Sequence, residues 1–448
     1  MDYSRRRFLQ TAGLVMASSA LPVWAKGAAN FIDPLSNSRE DFSRGQIVLP
    51  GIPVLQGATD LTSTTILFLH EDAQVSLVKV RDSLGKELPF QTIDSWKLPG
   101  SSKKITEIYV TGLIPRQIYS VEFLQLDGSL VDRRTFSSLD LQKKICRFAV
   151  ASCMRDSDSN RLVTMWNSLQ KENCDFVFLV GDTCYADNDN SSRDEAGYAR
   201  RYAESRGNFS WFRQAKLTPT FATWDDHDFG GNNLDRTFPL ADYTRQLFRK
   251  FWGTQQNISW RRAHGVGSVF TGFGQRFFLM DDRSFRDPEN SRLGRHWGAE
   301  QTDWLLAELE KSDTPAWLMN GSQFFGGYLA KESMERDHAE DFRQILQRLS
   351  RVPAPVAFVS GDVHFSEIME IEPEQLGYRT YEFTSSSIHS ITFPGHQFRA
   401  KNPRRLLSEW KHNFLVFDVN VENGWQIQSR SVMENNAVSF TKNVEINR

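Results

Sequence analysis

The chain of 448 residues is long enough for two to three domains with real cores, and its 40% apolar and 24% charged residues describe an ordinary soluble protein. A formal net charge of −2, with no run of Lys or Arg beyond the N-terminus, excludes a dedicated nucleic-acid or membrane-surface binder. With 33 Phe and 12 Trp, a marginal core is excluded too.

Residues 1–25 read as an export leader. Ser4-Arg5-Arg6-Arg7-Phe8-Leu9 fits the twin-arginine pattern, and the weakly apolar stretch from Thr11 to Pro22 is too short to span a bilayer. Val23-Trp24-Ala25 supplies a cleavage site. The expectation is a periplasmic or secreted monomer, carried by the twin-arginine translocase after folding and receipt of any cofactor. Four cysteines in so long a chain make no disulfide scaffold. In an oxidising compartment, metal ligation is one reason for a thiol to stay reduced.

Residues 26–140 predict a small all-β sandwich. "TTILFLH", "QVSLVKVRD", "ITEIYVTGL" and "YSVEFLQLDG" are short β-rich runs punctuated by turns such as Asp127-Gly128. From Cys146 the texture changes to continuous apolar runs, "CRFAVASC", "DFVFLVGD", "TFATWDD", "RFFLMDDR", "AWLMNG" and "VAFVSGDVH", as expected of strands buried on both faces. Helical stripes lie between them: Leu162, Val163, Trp166 and Leu169; Tyr243, Leu247, Phe248 and Phe251; Phe342, Ile345, Leu346 and Leu349. "NFLVFDVNV", "WQIQSRSV" and "AVSFTKNVEI" return to β and pair onto the same sheets. Residues 141–448 thus read as an α/β domain.

The residues directly after each buried run carry the chemistry. After "FAVA" come Ser152-Cys153, after "FVFLV" Gly181-Asp182-Thr183-Cys184-Tyr185, and after "FATW" Asp225-Asp226-His227-Asp228 with Asn232 and Asn233 beyond. After "FFLM" come Asp281-Asp282-Arg283, after "AWLM" Asn320-Gly321, and after "VAFVS" Gly361-Asp362-Val363-His364. Ligands in open α/β sheets bind at the carboxyl ends of strands, so six such endings converge on one rim. Each alone reads as a turn, an N-cap or a core residue; together, Asp, His, Cys, Asn and Tyr at one rim point to a metal site. Hard oxygen donors suit Ca²⁺, Mg²⁺, Mn²⁺ or Fe³⁺, and the scarcity of His argues against a zinc centre. Asp182 is the candidate bridge between two metals.

Taken together, "FAVASC", "GDTCYAD", "TWDDHDFGGNN" and "VSGDVHFSE" resemble the PhoD-like (alkaline phosphatase D) metallophosphatases of the calcineurin-like metallophosphoesterase superfamily. The resemblance covers about residues 146–420 and implies an α/β metallophosphoesterase-type core of stacked mixed β-sheets flanked by helices, behind the β-sandwich. It implies an iron(III) centre accompanied by calcium. Cys153, Asp182, Tyr185 and Asp362 match the iron ligands. Asp182 would bridge to a calcium side where Asp225 or Asp226, Asn233 and His364 are the matching positions. His227 matches the histidine facing the substrate phosphate and leaving oxygen. The wider superfamily's D-x-H, G-N-H-E and G-H-x-H patterns are replaced here by Ser152-Cys153, Asp225-Asp226-His227-Asp228 and Gly361-Asp362-Val363-His364.

The expected activity is hydrolysis of a phosphate ester, as an alkaline phosphatase or phosphodiesterase, by in-line attack of a metal-activated hydroxide. His227 serves the leaving oxygen, and Arg283 and Arg286 either hold a non-bridging oxygen or pair with Asp282 or Asp287. Two alternatives use the same residues. One is a purple-acid-phosphatase-like dinuclear enzyme; the other is a non-catalytic, calcium-bound secreted binding protein.

Overall fold

The computed structural model describes residues 51–156, 161–187, 193–289, 291, 293–328, 332–395 and 401–448. The predicted leader at 1–25 lies outside the described residues. The described residues form one compact unit.

The first seven strands are β1 (Val54–Thr59), β2 (Ser63–Glu71), β3 (Leu77–Asp82), β4 (Phe90–Lys97), β5 (Lys103–Thr111), β6 (Ile118–Leu124) and β7 (Leu130–Ser137). All pair antiparallel, in two sheets of order β1-β2-β5-β4 and β3-β6-β7. Their inner faces share one core of Ile66, Phe68, Val110, Val121, Phe123 and Phe136. Phe68 meets Phe123 across the layers with ring centroids 4.7 Å apart.

The next three strands, β8 (Ile145–Ala151), β9 (Phe176–Val180) and β10 (Thr220–Thr223), lie parallel. A second sheet is built from β11 (Trp260–Arg262), β12 (Ser268–Gly272), β13 (Gln275–Leu279), β14 (Ala316–Met319), β15 (Val356–Ser360), β16 (Ser366–Ile371), β17 (Thr380–Thr384) and β18 (Arg405–Glu409). Its centre, β13-β14-β15-β17, is parallel. The chain then returns to the first sheet with β19 (Asn413–Asn420), β20 (Trp425–Met433) and β21 (Val438–Ile446), where β19 pairs antiparallel with β8. The two mixed sheets are glued by aromatics. Phe148 stacks on Phe417 at 4.8 Å and meets Phe277 and Trp317 of the facing sheet edge-on at 5.4 Å.

Helices cover the flanks: α1 (Arg161–Lys171), α2 (Glu195–Asn208), the single turn α3 (Asp226–Phe229), α4 (Ala241–Trp252), α5 (Gly298–Leu309), the turn α6 (Met334–Asp337), α7 (Ala339–Leu349) and the turn α8 (Pro373–Leu376). The apolar stripes expected for α1, α4 and α7 face inward, except that Met165 is buried where Val163 and Tyr243 are only half so. Helix α2 has no aliphatic stripe to announce it. It buries Tyr198, Tyr202 and Arg201 instead, the last paired with Asp156 at 2.7 Å.

On β2, His70 donates from Nδ1 to the Glu71 carbonyl at 2.9 Å and accepts at Nε2 from the Thr106 hydroxyl at 3.1 Å. Burial pushes its pKa down to about 4, against the opposing pull of the Glu71 carbonyl. Between pH 6.5 and about 4 the unfolded chain therefore takes up a proton that the folded chain refuses, and stability falls as pH falls. We expect His70→Gln to flatten that slope in urea titrations run from pH 4 to 7. An unchanged slope would remove His70 as its cause.

Candidate metal centre

Six strand ends meet at one rim. The Gly181 N–H reaches the Thr223 carbonyl at 3.1 Å, and the Gly361 N–H reaches the Gly321 carbonyl at 2.9 Å. Approach is so close that a Cβ on Gly181 would lie 2.7 Å from that of Asp225, and one on Gly361 2.7 Å from that of Ser152. Beyond these contacts the backbone turns left-handed at Cys153 (φ 56°), Asp182 (φ 52°), Asp362 (φ 62°) and His364 (φ 62°). Non-glycine residues rarely adopt this conformation, and where they cluster the surrounding structure holds a strained, functional arrangement.

These turns aim side chains into two overlapping donor groups. Cys153, Asp182 and His364 form one; Asp182, Asp226 and His227 form the other, with ligand-capable atoms in each all within 4.8 Å of one another. Asp182 belongs to both. Its Oδ2 lies 3.1 Å from the Tyr185 hydroxyl, while its Oδ1 is buried and receives no hydrogen bond. A buried carboxylate oxygen without a donor is costly unless a cation faces it. Burial, then the neighbouring Asp226, Asp228 and Asp362, hold the Asp182 carboxyl well above the usual range against the pull of His227. Burial and the Asp182 charge likewise push up the Cys153 thiol and the Tyr185 phenol. A cation reverses that logic and favours the deprotonated ligands, so the donor set fits a metal.

The other predicted site residues fall around this pair of groups. Tyr185 stacks on His227 at 4.2 Å between ring centroids, and its hydroxyl lies 2.9 Å from Ser390 Oγ. His227 Nδ1 is 2.6 Å from an oxygen of Asp187. Burial works against its charge, but Asp226, Asp187 and Asp182 outweigh it and push the pKa up to about 10. Asp226 accepts the N–H groups of His227 and Asn233, each at 2.7 Å. Asn233 thus reaches the site through its backbone, while its side-chain oxygen accepts from Asn232 at 2.7 Å. Asp362 stands half-buried beside Gly361, outside both groups. His364 is grouped with Cys153 rather than with Asp226, which differs from its expected place on the calcium side.

Arg283 needs a larger correction. The expected phosphate clamp is fully buried, with Nε 2.7 Å from Asp225 Oδ1, Nη2 bonded to Asp225 and to Glu332 at 2.6 Å, and Nη1 3.3 Å from the Leu234 carbonyl. Each nitrogen already has a partner and the side chain is fully buried, so the guanidinium serves the Asp225–Glu332 network rather than standing open to a phosphoryl oxygen. Arg286 extends the network to Glu332 at 2.8 Å and Asp337 at 3.1 Å. The partners are neither Asp282 nor Asp287; Asp282 is held by His296 and by the Ser322 N–H. Of the two alternatives Asp225 and Asp226, Asp226 is the one grouped with Asp182, while Asp225 Oδ1 is bonded to Arg283. Only Asp225 Oδ2, buried without a hydrogen bond, is left to a cation.

Sequence reasoning passes over Asp187 and the segment Ser385–Ser390. The first sits in the quoted "GDTCYAD"; the second comes after the buried run "YEFT" of β17, a seventh strand end whose serines read as an ordinary turn.

Against known proteins, the PhoD-like phosphatase family model matches residues 148–433. No curated protein sequence matches. A solved structure of PhoD superimposes with a TM-score of 0.65 at 17% identity, covering 88% of this chain and 88% of that one, and shows the fold. Astrotactin-2, a vertebrate perforin-like membrane protein, aligns with 35% of this chain and 29% of its own at 9% identity and a TM-score of 0.17, which carries no argument. The chain belongs to the PhoD-like phosphatase family.

Replacing Arg283 by Met should cost about 3–5 kcal/mol, because it strands Asp225 as a buried, unpaired charge and leaves Glu332 to Arg286 alone. Chemical denaturation at neutral pH measures this. A loss within about 0.5 kcal/mol, the range of ordinary surface substitutions, would show that the network is not structural.

Proposed function

We propose that this phosphatase is an exported, metal-dependent phosphoric ester hydrolase acting as a monomer, with iron(III) and calcium at the rim. The observation that carries the reading is Asp182, buried, common to both donor groups and left with an oxygen that no protein group satisfies. Cys153, Asp182, Tyr185 and Asp362 would hold iron, with His364 at the same end; Asp182 and Asp226 would hold calcium. When bound, such a pair places positive charge against the phosphoryl oxygens and supplies an acidified water as nucleophile.

The chain's own groups do the rest. Asp187 anchors Nδ1 of His227 and Tyr185 stacks against its ring, so Nε2 is the nitrogen left to face a substrate. A protonated His227 gives its proton to the leaving oxygen as the ester bond breaks. Arg283 and the Asp225 it holds fix the turn α3, and with it the positions of Asp226 and His227. The twin-arginine motif supports export of a folded, loaded protein to the periplasm or beyond.

Elemental analysis of natively exported protein, purified without chelator, should find about one iron and at least one calcium per chain. Calcium alone would return Cys153 and Tyr185 to packing roles. Asp182→Ala should lose bound metal and hydrolysis together; full activity would sink the bridging assignment. His227→Ala should keep its metal and lose roughly 10²–10⁴-fold in kcat on phosphate esters. Loss of metal in that variant would make His227 a ligand instead.

A further inference from the structure

The loop after β17 packs against Cys153 through backbone and hydroxyl contacts. The Ile388 N–H reaches the Ser152 carbonyl at 3.1 Å, and the Ser390 N–H reaches the Cys153 carbonyl at 3.0 Å. Two hydroxyls approach the sulfur, Ser386 Oγ at 3.1 Å and Ser152 Oγ at 3.4 Å, and both residues are fully buried. A hydroxyl has one proton, so they differ in what they can give. Ser152 Oγ lies 2.6 Å from the Ser385 carbonyl, which can only accept, and its proton is committed there. Ser386 Oγ accepts the His364 N–H at 3.0 Å, which leaves its proton for the Cys153 sulfur.

We infer that Ser386 is a positioning residue for the centre, the hydroxyl that sets how strongly the Cys153 sulfur donates to iron while tethering His364 to the same atom. This rests on the proposed iron ligation by Cys153. A hydrogen bond to a thiolate draws electron density off the sulfur. It thereby raises the energy of sulfur-to-iron charge transfer and the reduction potential of the iron. Ser387, equally buried in the same loop, gives its proton to the Cys153 carbonyl at 3.2 Å and accepts the Ser390 N–H at 2.7 Å; its hydroxyl bonds no sulfur, and it is the internal control.

The test uses full-length, iron-loaded protein and reads optical spectra and reduction potentials. Ser386→Ala should keep its iron, move the thiolate charge-transfer band to longer wavelength and shift the potential negative; Ser387→Ala should leave both in place. An unmoved band in Ser386→Ala, or equal shifts in the two variants, would overturn the inference. For a readout independent of any variant's folding, resonance Raman spectra of the wild-type protein in H₂O and D₂O should differ in the iron–sulfur stretch, and identical stretches overturn it equally. A wild-type protein that holds iron but shows no thiolate band would fail the Cys153 ligation itself, a different result from a band that Ser386 does not influence.

Discussion

The rest of this structure answers to one constraint: too much negative charge is gathered in a dry place. Asp182, Asp225, Asp226 and Asp228 are all buried within two strand ends of each other, with Asp362 beside them. The fold treats them unequally. Asp228 is dissolved by three donors, the Thr183 hydroxyl and the backbone N–H groups of Cys184 and Asp225. Asp225 receives the cation of Arg283. Asp226 takes two backbone N–H groups. Asp182 has a phenol at one oxygen and nothing at the other, and the second oxygen of Asp225 is bare as well. A chain that satisfies Asp226 and Asp228 with its own groups and leaves one oxygen each of Asp182 and Asp225 bare has room beside them for an external cation.

Holding that arrangement needs a frame that cannot relax. The aromatic layer between the mixed sheets fixes the strands, and glycines at 181 and 361 let their ends touch. Four non-glycine residues then turn left-handed where those ends stop. The core thus bears the cost of a rim whose backbone, by itself, would prefer to be elsewhere.

Much of this is legible in the amino-acid text alone. Buried-strand runs are unambiguous where both faces pack, which is why β8, β9, β13, β14 and β15 stand where the apolar residues place them, with the chemistry at their ends. Strands β4 and β7 escape the pattern because half-exposed edges such as "QTIDSWK" and "LVDRRTFS" carry too few apolar residues to show, and β1 because the buried run "VLQGAT" is interrupted by Gln56 and Gly57. Helix α2 hides for a related reason, since a helix that buries tyrosines and paired arginines leaves no aliphatic stripe. Arg283 misleads because a guanidinium next to two aspartates looks available for substrate. Its partners, Asp225 and Glu332, lie 58 and 49 residues away in sequence, beyond the reach of local pattern.

Ser386 marks the same limit from the other side. Nothing in "SSSIHS" separates one serine from the next; the distinction arises only when tertiary contacts assign each hydroxyl its proton. Ser385 gives its own to the Val150 carbonyl, Ser387 to that of Cys153, and Ser386, with its acceptor side filled, to sulfur. Three identical side chains thus do three different jobs because a hydroxyl has one proton and each surrounding acceptor can take it from only one direction. Which side chains can serve as donors is written in the residue types, but how strongly a donor gives is written in which neighbour holds the last free proton. That second layer is where a phosphatase of this family can tune its centre without changing a single ligand.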